Sequence, residues 1–282
     1  MVIKDYKFSL ITPTINRAKE IEIFLQSLEN QTYRNFELII IDQNIDISID
    51  QIIEKYKREY IIKHIKSKKK GISLNRNIGI KMAEGEILAF PDDDCRYCKD
   101  TLEKVNNFFK SNHSFQIYSC NVMDEKKNMK FPMAKKNANI TSWNYYNKAI
   151  SIGIFIKPIN IEDIIFDHKL GVGAKFGSSE ESDLIASLIN IGYKGYYNSK
   201  QFIYHDLYQI KPNKSRYYNY GMGFGALYKK EIIERKKYYI IIKYLINILK
   251  YIIGSMLPSS KREIYYASLL GRITGFIEYR NY

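Results

Sequence analysis

The feature that most limits how this chain can fold is a beat repeated four times in its first 120 residues. A short apolar run meets a polar cluster or turn, and a helical pattern follows. KFSLIT, FELIIID, IIKHI and EILAF are the runs. The stretch Lys19–Gln31 sets Ile21, Phe24, Leu25 and Leu28 on one helical face, and further helical patterns cover Ile49–Tyr60, Leu74–Ala83 and Leu102–Phe109. Strands separated by helices of this length build βαβ units and a mainly parallel sheet. Such sheets bind ligands beyond the carboxyl ends of their strands. Three polar clusters fall there: Thr12–Arg17, Asp42–Asn44 and Asp92–Asp94. The pattern predicts an α/β fold with a nucleotide-type crevice.

The third cluster, in FPDDDCRY, is the most demanding. Three adjacent carboxylates repel one another, and a divalent cation relieves that repulsion. Hard oxygen ligands suit Mg²⁺ or Mn²⁺, which are held by one or two carboxylates and complete their shells with water and substrate phosphates. An aspartate cluster after a strand is also common in plain surface loops, so the triplet needs company. Cys95 and Cys98 form a C-x-x-C, but no second pair or histidine cluster completes a zinc site. With Cys120 they read as packing thiols of a reducing compartment. The start, MVIKDYKFSL, lacks the apolar core of a signal peptide, which predicts a cytoplasmic chain.

Residues 121–170 read as mixed strand and loop. In FGSSEESDLIASLINIGY, Ser178 and Glu181 have the spacing of a capping box, with Leu184, Ile185, Leu188 and Ile189 on the buried side. QFIYHD reads as a strand reaching His205. After Pro212 the chain changes character. Of the net charge of +14, residues 211–282 contribute +10, from 14 Lys and Arg against 4 Asp and Glu. A basic patch of that size points to nucleic acid or an anionic membrane. The apolar stretch YYIIIKYLINILKYIIGSML carries Lys243, Asn247, Lys250 and Gly254 at helical spacing, as one narrow polar stripe. Two lysines near its middle oppose spanning. The pattern predicts a helix in the membrane interface with its lysines toward the headgroups, the alternative being a core helix.

From Gly71 to Cys95, GISLNRNIGIKMAEGEILAFPDDDC resembles the nucleotide-sugar-binding segment of family 2 glycosyltransferases. SLITPTINRAKEIEIFLQSLENQTYRNFELIIID is similar to that family's amino-terminal region. The likeness covers residues 8–103 almost continuously. FDHKLGVGAKFGSSEESDL and IYHD extend it to about residue 206, and YNYGMGFGALYKK is similar to a stretch of some bacterial members. The resemblance implies a GT-A (Rossmann-like) fold over residues 1–210, followed by a helical, basic, membrane-associating region over 211–282.

It also implies roles. Thr12, Pro13, Thr14 and Arg17 would wrap the nucleotide, and Asp42 would lie near base and ribose. Many members have a second acid after that position, where this chain has Gln43. Asn75, Arg76 and Asn77 would approach base and diphosphate, Arg76 as a cation for phosphate, although Asn75 and Asn77 also suit helix capping. Asp92 and Asp94 match the Asp-x-Asp pair and belong to the implied metal set, with Asp94 the direct ligand, Asp92 nearer the ribose and Asp93 supporting them. His205 would complete the metal site. An acid beyond the sheet would take the acceptor hydroxyl's proton. SEESDL matches that position with Glu181 where the family has aspartate, Glu180 before it, and Asp183 as a further acid. Acids there also suit a helix amino terminus. Gly171 and Gly173 read as a flexible loop or as turn glycines.

The expected activity is metal-dependent, inverting transfer from a nucleoside-diphosphate sugar, a UDP-sugar in the first place, to a glycan or lipid-linked acceptor. The expected place is the inner face of the cell membrane, in bacterial surface-polysaccharide synthesis. A sugar-phosphate nucleotidyltransferase would need a glycine-rich, basic first loop in place of PTINR. A nucleic-acid-binding protein would use the basic, tyrosine-rich tail but leave the acids without purpose, so no nucleic-acid partner is expected.

Overall fold

The structure, a computed structural model, describes residues 5–45, 48–124, 126, 135–205, 213–259 and 261–280. Eight of its strands run side by side in the order β3-β2-β1-β4-β8-β6-β9-β5, and β7 pairs with β9. These are β1 (Phe8–Thr14), β2 (Phe36–Asp42), β3 (Ile61–Lys66), β4 (Ile87–Ala89), β5 (Cys95–Arg96), β6 (Ile117–Met123), β7 (Ala138–Ile140), β8 (Ile154–Ile156) and β9 (Gly195–His205). The half formed by β3, β2, β1 and β4 is wholly parallel, as the repeated beat requires. Beyond it β8 runs antiparallel to β4 and β6, β6 and β9 pair parallel, and β5 and β7 add to β9 antiparallel.

The helices between these strands are α1 (Ala18–Glu29), α2 (Asp50–Tyr56), α3 (Ile72–Ile80), α4 (Thr101–Ser111) and α5 (Glu180–Asn190). Helix α1 buries Ile21, Phe24, Leu25 and Leu28, the face read from the sequence. Helix α3 begins two residues earlier than its pattern suggested, so Asn75 and Asn77 lie inside it. It approaches the sheet closely at Gly79, where any Cβ would overlap the Ile11 side chain. The Ser178 hydroxyl donates to the Tyr220 carbonyl, and α5 opens at Glu180 behind Ser179, whose φ is 71°. The capping box expected from Ser178 is therefore displaced by a left-handed residue.

The chain divides into two compact units. The first takes the residues through Lys70, then Leu74–Ile165, then Ser187 through β9. The second takes Gly71–Ser73, Phe166–Ala186 and the described residues from Asn213 onward. The boundary expected at residues 210 and 211 lies outside the described residues. In the first unit, Phe8, Leu10, Leu38, Ile40 and Ala89 of the parallel strands join the α1 face and Leu102, Val105 and Phe109 of α4 in one core.

The second unit is helical: α6 (Lys214–Lys229) runs into a π-helical turn, Lys230–Glu234, followed by α7 (Ile240–Met256) and α8 (Arg262–Glu278). Gly221 and Gly225 of α6 lie against the α8 backbone at Ser268, Arg272 and Phe276, and Gly271 and Gly275 of α8 against the α6 backbone at Tyr218 and Met222. At each, a Cβ would intrude on the backbone of the facing helix. Small residues four apart let the two helices touch backbone to backbone. Among the described residues no helix is long and apolar enough to cross a membrane.

Candidate active site

In the first unit the polar residues gather where the parallel strands end. Register sets Thr14 opposite Asp42 and Asp42 opposite Lys66. Asp42 is completely buried. It accepts from Lys66 Nζ at 2.7 Å, pairs with His64 Nε2 at 2.9 Å, and accepts from the Asn44 amide at 2.8 Å. Burial alone would raise its pKa, but Lys66, Asn44 and His64 outweigh burial and hold it below the usual aspartate value. Asp50, Asp42 and His64 form a cluster of metal-ligand types, yet Lys66 Nζ already stands 2.7 Å and 3.5 Å from the two carboxylates. An internal cation neutralises this cluster.

That pairing predicts a pH effect. The folded state holds the Asp42 proton less tightly than the unfolded chain. Its stabilising contribution is therefore complete above the ordinary aspartate pKa and disappears as pH falls through the depressed native value. Asp42→Asn is expected to cost about 2 kcal/mol at pH 7 and much less in strong acid. The difference is read from thermal unfolding of both proteins across a pH series.

The aspartate triplet follows β4. Each member has its own partner, which is how three neighbouring carboxylates coexist. Asp92 takes Arg76 Nη2 at 3.0 Å. Asp93 accepts from Thr14 Oγ1 at 2.7 Å and from Arg17 Nη1 at 3.1 Å. Asp94 accepts from the same Arg17 nitrogen and lies 3.0 Å from His205 Nε2. Asp93 is the most crowded. Burial, reinforced by Asp94 and Asp92, pushes its pKa up to about 7 against the opposing pull of Thr14 and Arg17.

The backbone explains how His205 arrives beside a residue so far back in the chain. Strand β5 pairs antiparallel with β9, with Cys95 opposite His205, so Asp94 stands at the end of that pair. As a result, one ligand atom from each of Asp92, Asp94 and His205 lies within 4.8 Å of the others. Two carboxylates and an imidazole make a donor set that fits Mn²⁺, and Mg²⁺ with more water. The residues expected to hold the metal are together.

Other expected residues differ in burial and in the partners they meet. Arg76 and Asn75 are fully buried. Arg76 Nη2 meets Asp92 at 3.0 Å. The Asn75 amide donates to Gln43 Oε1 and to the Lys69 carbonyl, each at 2.9 Å, and so braces the loops after β2 and β3. Thr12 is also completely buried, whereas Pro13 is half-buried and Arg17 exposed. All three cysteines are free thiols, Cys95 and Cys120 in the core.

The second unit carries the other acids. Gly171 and Gly173 have φ of 99° and 84° and belong to a tight turn in which the Gly171 N–H donates to the Phe176 carbonyl and the Phe176 N–H to the Lys169 carbonyl. They are turn glycines. A Cβ at Gly171 would press on the Glu180 carboxyl and the Ser73 hydroxyl. Glu180 is buried and Glu181 half-buried. Asp183 is buried with both oxygens engaged, one by Lys230 Nζ at 2.7 Å and the other by Arg235 Nη2 at 2.5 Å. Lys230, the first residue of the π-helical turn, also meets Asp167 at 2.7 Å, and the Tyr279 hydroxyl donates to Asp167 at 2.6 Å. No sequence signal marked Lys230, Arg235 or Tyr279 as partners, because the pairs are formed between remote segments. His64 and Lys66, by contrast, lay visible in IIKHIK beside the strand that ends in Asp42.

A model described as glycosyl transferase family 2 matches residues 9–168, more than half of the chain. Poly(ribitol-phosphate) beta-N-acetylglucosaminyltransferase TarS of Staphylococcus aureus strain Mu50 is 36% identical over 115 residues, 38% of this chain and 20% of that protein. The chain thus spans about a fifth of the length of the curated relatives it first matches. The crystal structure of S. aureus TarS 1-349 in complex with UDP-GlcNAc superposes with a TM-score of 0.64 at 18% identity, over 96% of this chain and 89% of that one. The mannosyltransferase PcManGT from Pyrobaculum calidifontis, in complex with GDP-Man and Mn²⁺, gives 0.67 at 12% identity, over 96% and 87%. At these identities the superpositions establish the fold, GT-A.

Proposed function

Because this chain belongs to glycosyl transferase family 2, we propose that it moves a sugar, with inversion, from a nucleoside-diphosphate sugar to an acceptor hydroxyl, using a divalent cation. The observation that carries this reading is the convergence of Asp92, Asp94 and His205 within 4.8 Å. Asp94 and His205 would hold Mn²⁺ or Mg²⁺, with Asp92 beside them. The bound ion would neutralise charge developing on the departing diphosphate.

The chain's own residues prepare that place. Thr14 and Arg17 fix Asp93, Arg76 fixes Asp92, and His205 orients Asp94. Thr12, Pro13, Thr14, Arg17, Asp42, Asn75 and Arg76 would form the donor side, with Pro13 and Arg17 the more accessible of them. A UDP-sugar is the favoured donor, in line with the ligand named for the TarS complex. Glu181 takes the proton of the acceptor hydroxyl. Asp183, clasped by Lys230 and Arg235, is the poorer base and holds the first turn of α5. In this reading residues 1–210 carry donor binding and catalysis, and 211–282 associate with the inner face of the membrane. The acceptor is a glycan or lipid-linked intermediate of bacterial surface polysaccharide.

A panel of nucleotide sugars, scored by thermal stabilisation with and without Mn²⁺, tests donor and metal together. One nucleoside-diphosphate sugar at a hundredfold excess over its Kd is expected to raise the Tm by about 5 °C, and only with the metal. If no nucleotide sugar stabilises the protein under either condition, the proposal fails.

A further inference from the structure

A helix packed on a protein normally turns its apolar side inward, and α7 does the opposite. Its inward side is polar. Arg272 Nε donates to Asn247 Oδ1 at 2.7 Å, Arg272 Nη2 to the Tyr251 hydroxyl at 2.9 Å, and the Tyr244 hydroxyl to the Arg272 carbonyl at 3.4 Å. The Tyr265 ring fills the space that a Cβ on Gly254 would take. Lys243 shares this side, half-buried. Two members of the polar stripe expected to meet lipid headgroups, Asn247 and Gly254, therefore face α8, and Lys250 alone of the four is exposed.

The outward side is aliphatic. Ile242, Leu245, Ile246, Leu249, Ile253 and Met256 are each at least 50% exposed. On α8, Tyr266, Leu270, Ile273 and Ile277 form a second exposed stripe. Contiguous apolar surface of this kind calls for a partner. Its borders indicate which. Tyr238 and Tyr239 stand exposed at the start of α7, Tyr266 stands beyond its end, and Lys236, Lys250, Lys261 and Arg262 are exposed along the same course. Helix α7 contains no acidic residue. Aliphatic side chains bordered by tyrosine and lysine suit the boundary between membrane and water. Protein interfaces, in contrast, are depleted in lysine. A cavity of about 530 Å³ opens beside the α8 stripe, sharing Tyr266 and Leu270, with Arg262 and the ion pair of Lys214 and Glu263 also in its wall.

We infer that the outward faces of α7 and α8 dock on an anionic phospholipid bilayer, the aliphatic side chains entering among the acyl chains and the flanking cations meeting headgroup phosphates. This supplies a surface for the membrane location proposed above. It uses no residue assigned to donor or base, so its failure leaves the transfer reading intact.

Vesicle sedimentation of the full chain tests it. The protein is expected to pellet with phosphatidylglycerol vesicles and about tenfold less with phosphatidylcholine. Leu245→Glu combined with Leu249→Glu is expected to reduce pelleting more than about tenfold while leaving the Tm unchanged, since both side chains are more than half exposed. Lys236→Gln and Lys261→Gln are each expected to weaken it about fivefold. The inference is overturned if wild type stays in the supernatant with phosphatidylglycerol, or if the double variant still pellets. It is equally overturned if sedimentation equilibrium without lipid shows a dimer that the double variant dissolves, since a second copy would then cover the face.

Discussion

Glu181→Gln is expected to bind the donor as tightly as wild type and to transfer sugar about a thousandfold more slowly. An un-ionised hydroxyl is a weak nucleophile, and a positioned base contributes two to four orders of magnitude. Glutamine keeps the size and polarity of the side chain but cannot accept the proton. The loss should therefore fall on kcat and spare donor affinity, which calorimetry and single-turnover assays separate. Asp183→Asn should look different. It leaves Lys230 and Arg235 facing a neutral amide in a buried place, and breaking one partner of a buried pair costs about 3–5 kcal/mol of stability. Its signature is a lowered Tm, with activity recovered in the fraction that stays folded. Full activity in Glu181→Gln would sink the base assignment and return it to Asp183.

Asp94→Ala is expected to abolish metal-dependent donor binding. The variant removes the carboxylate shared by Arg17 and His205 and with it the centre of the proposed ligand set. A metal's electrostatic contribution of several kcal/mol corresponds to roughly a thousandfold in turnover. The nucleotide-sugar panel with Mn²⁺ should show no shift for this variant, while its metal-free unfolding remains cooperative. Unchanged Mn²⁺-dependent stabilisation would exclude Asp94 as a ligand.

Much of the site was legible in order along the chain. The aspartate triplet, Thr14, Asp42 and His205 were visible because each ends or follows an apolar run, and parallel strands bring their ends to one edge. The partners of the two arginines were not legible. Arg76 serves Asp92, and Arg17 serves Asp93 and Asp94. An arginine in a loop pattern carries no mark of whether it will face a substrate phosphate or a neighbouring carboxylate. The orientation of α7 was also hidden. Helical spacing found its polar stripe, but spacing alone does not say which side a helix shows to its neighbours.

The sequence by itself determined the βαβ order, the parallel half of the sheet and the residue types at the strand ends, because these follow from local periodicity and turn chemistry. Tertiary structure alone decided that β5 would pair with β9 and draw His205 to Asp94, that Lys230 and Arg235 would clasp Asp183, and that α7 would turn its polar side inward to Arg272. Each of these is a contact between distant segments. Its energy comes from pairing and burying charges that meet only once the chain has closed, and a local pattern holds no record of that meeting.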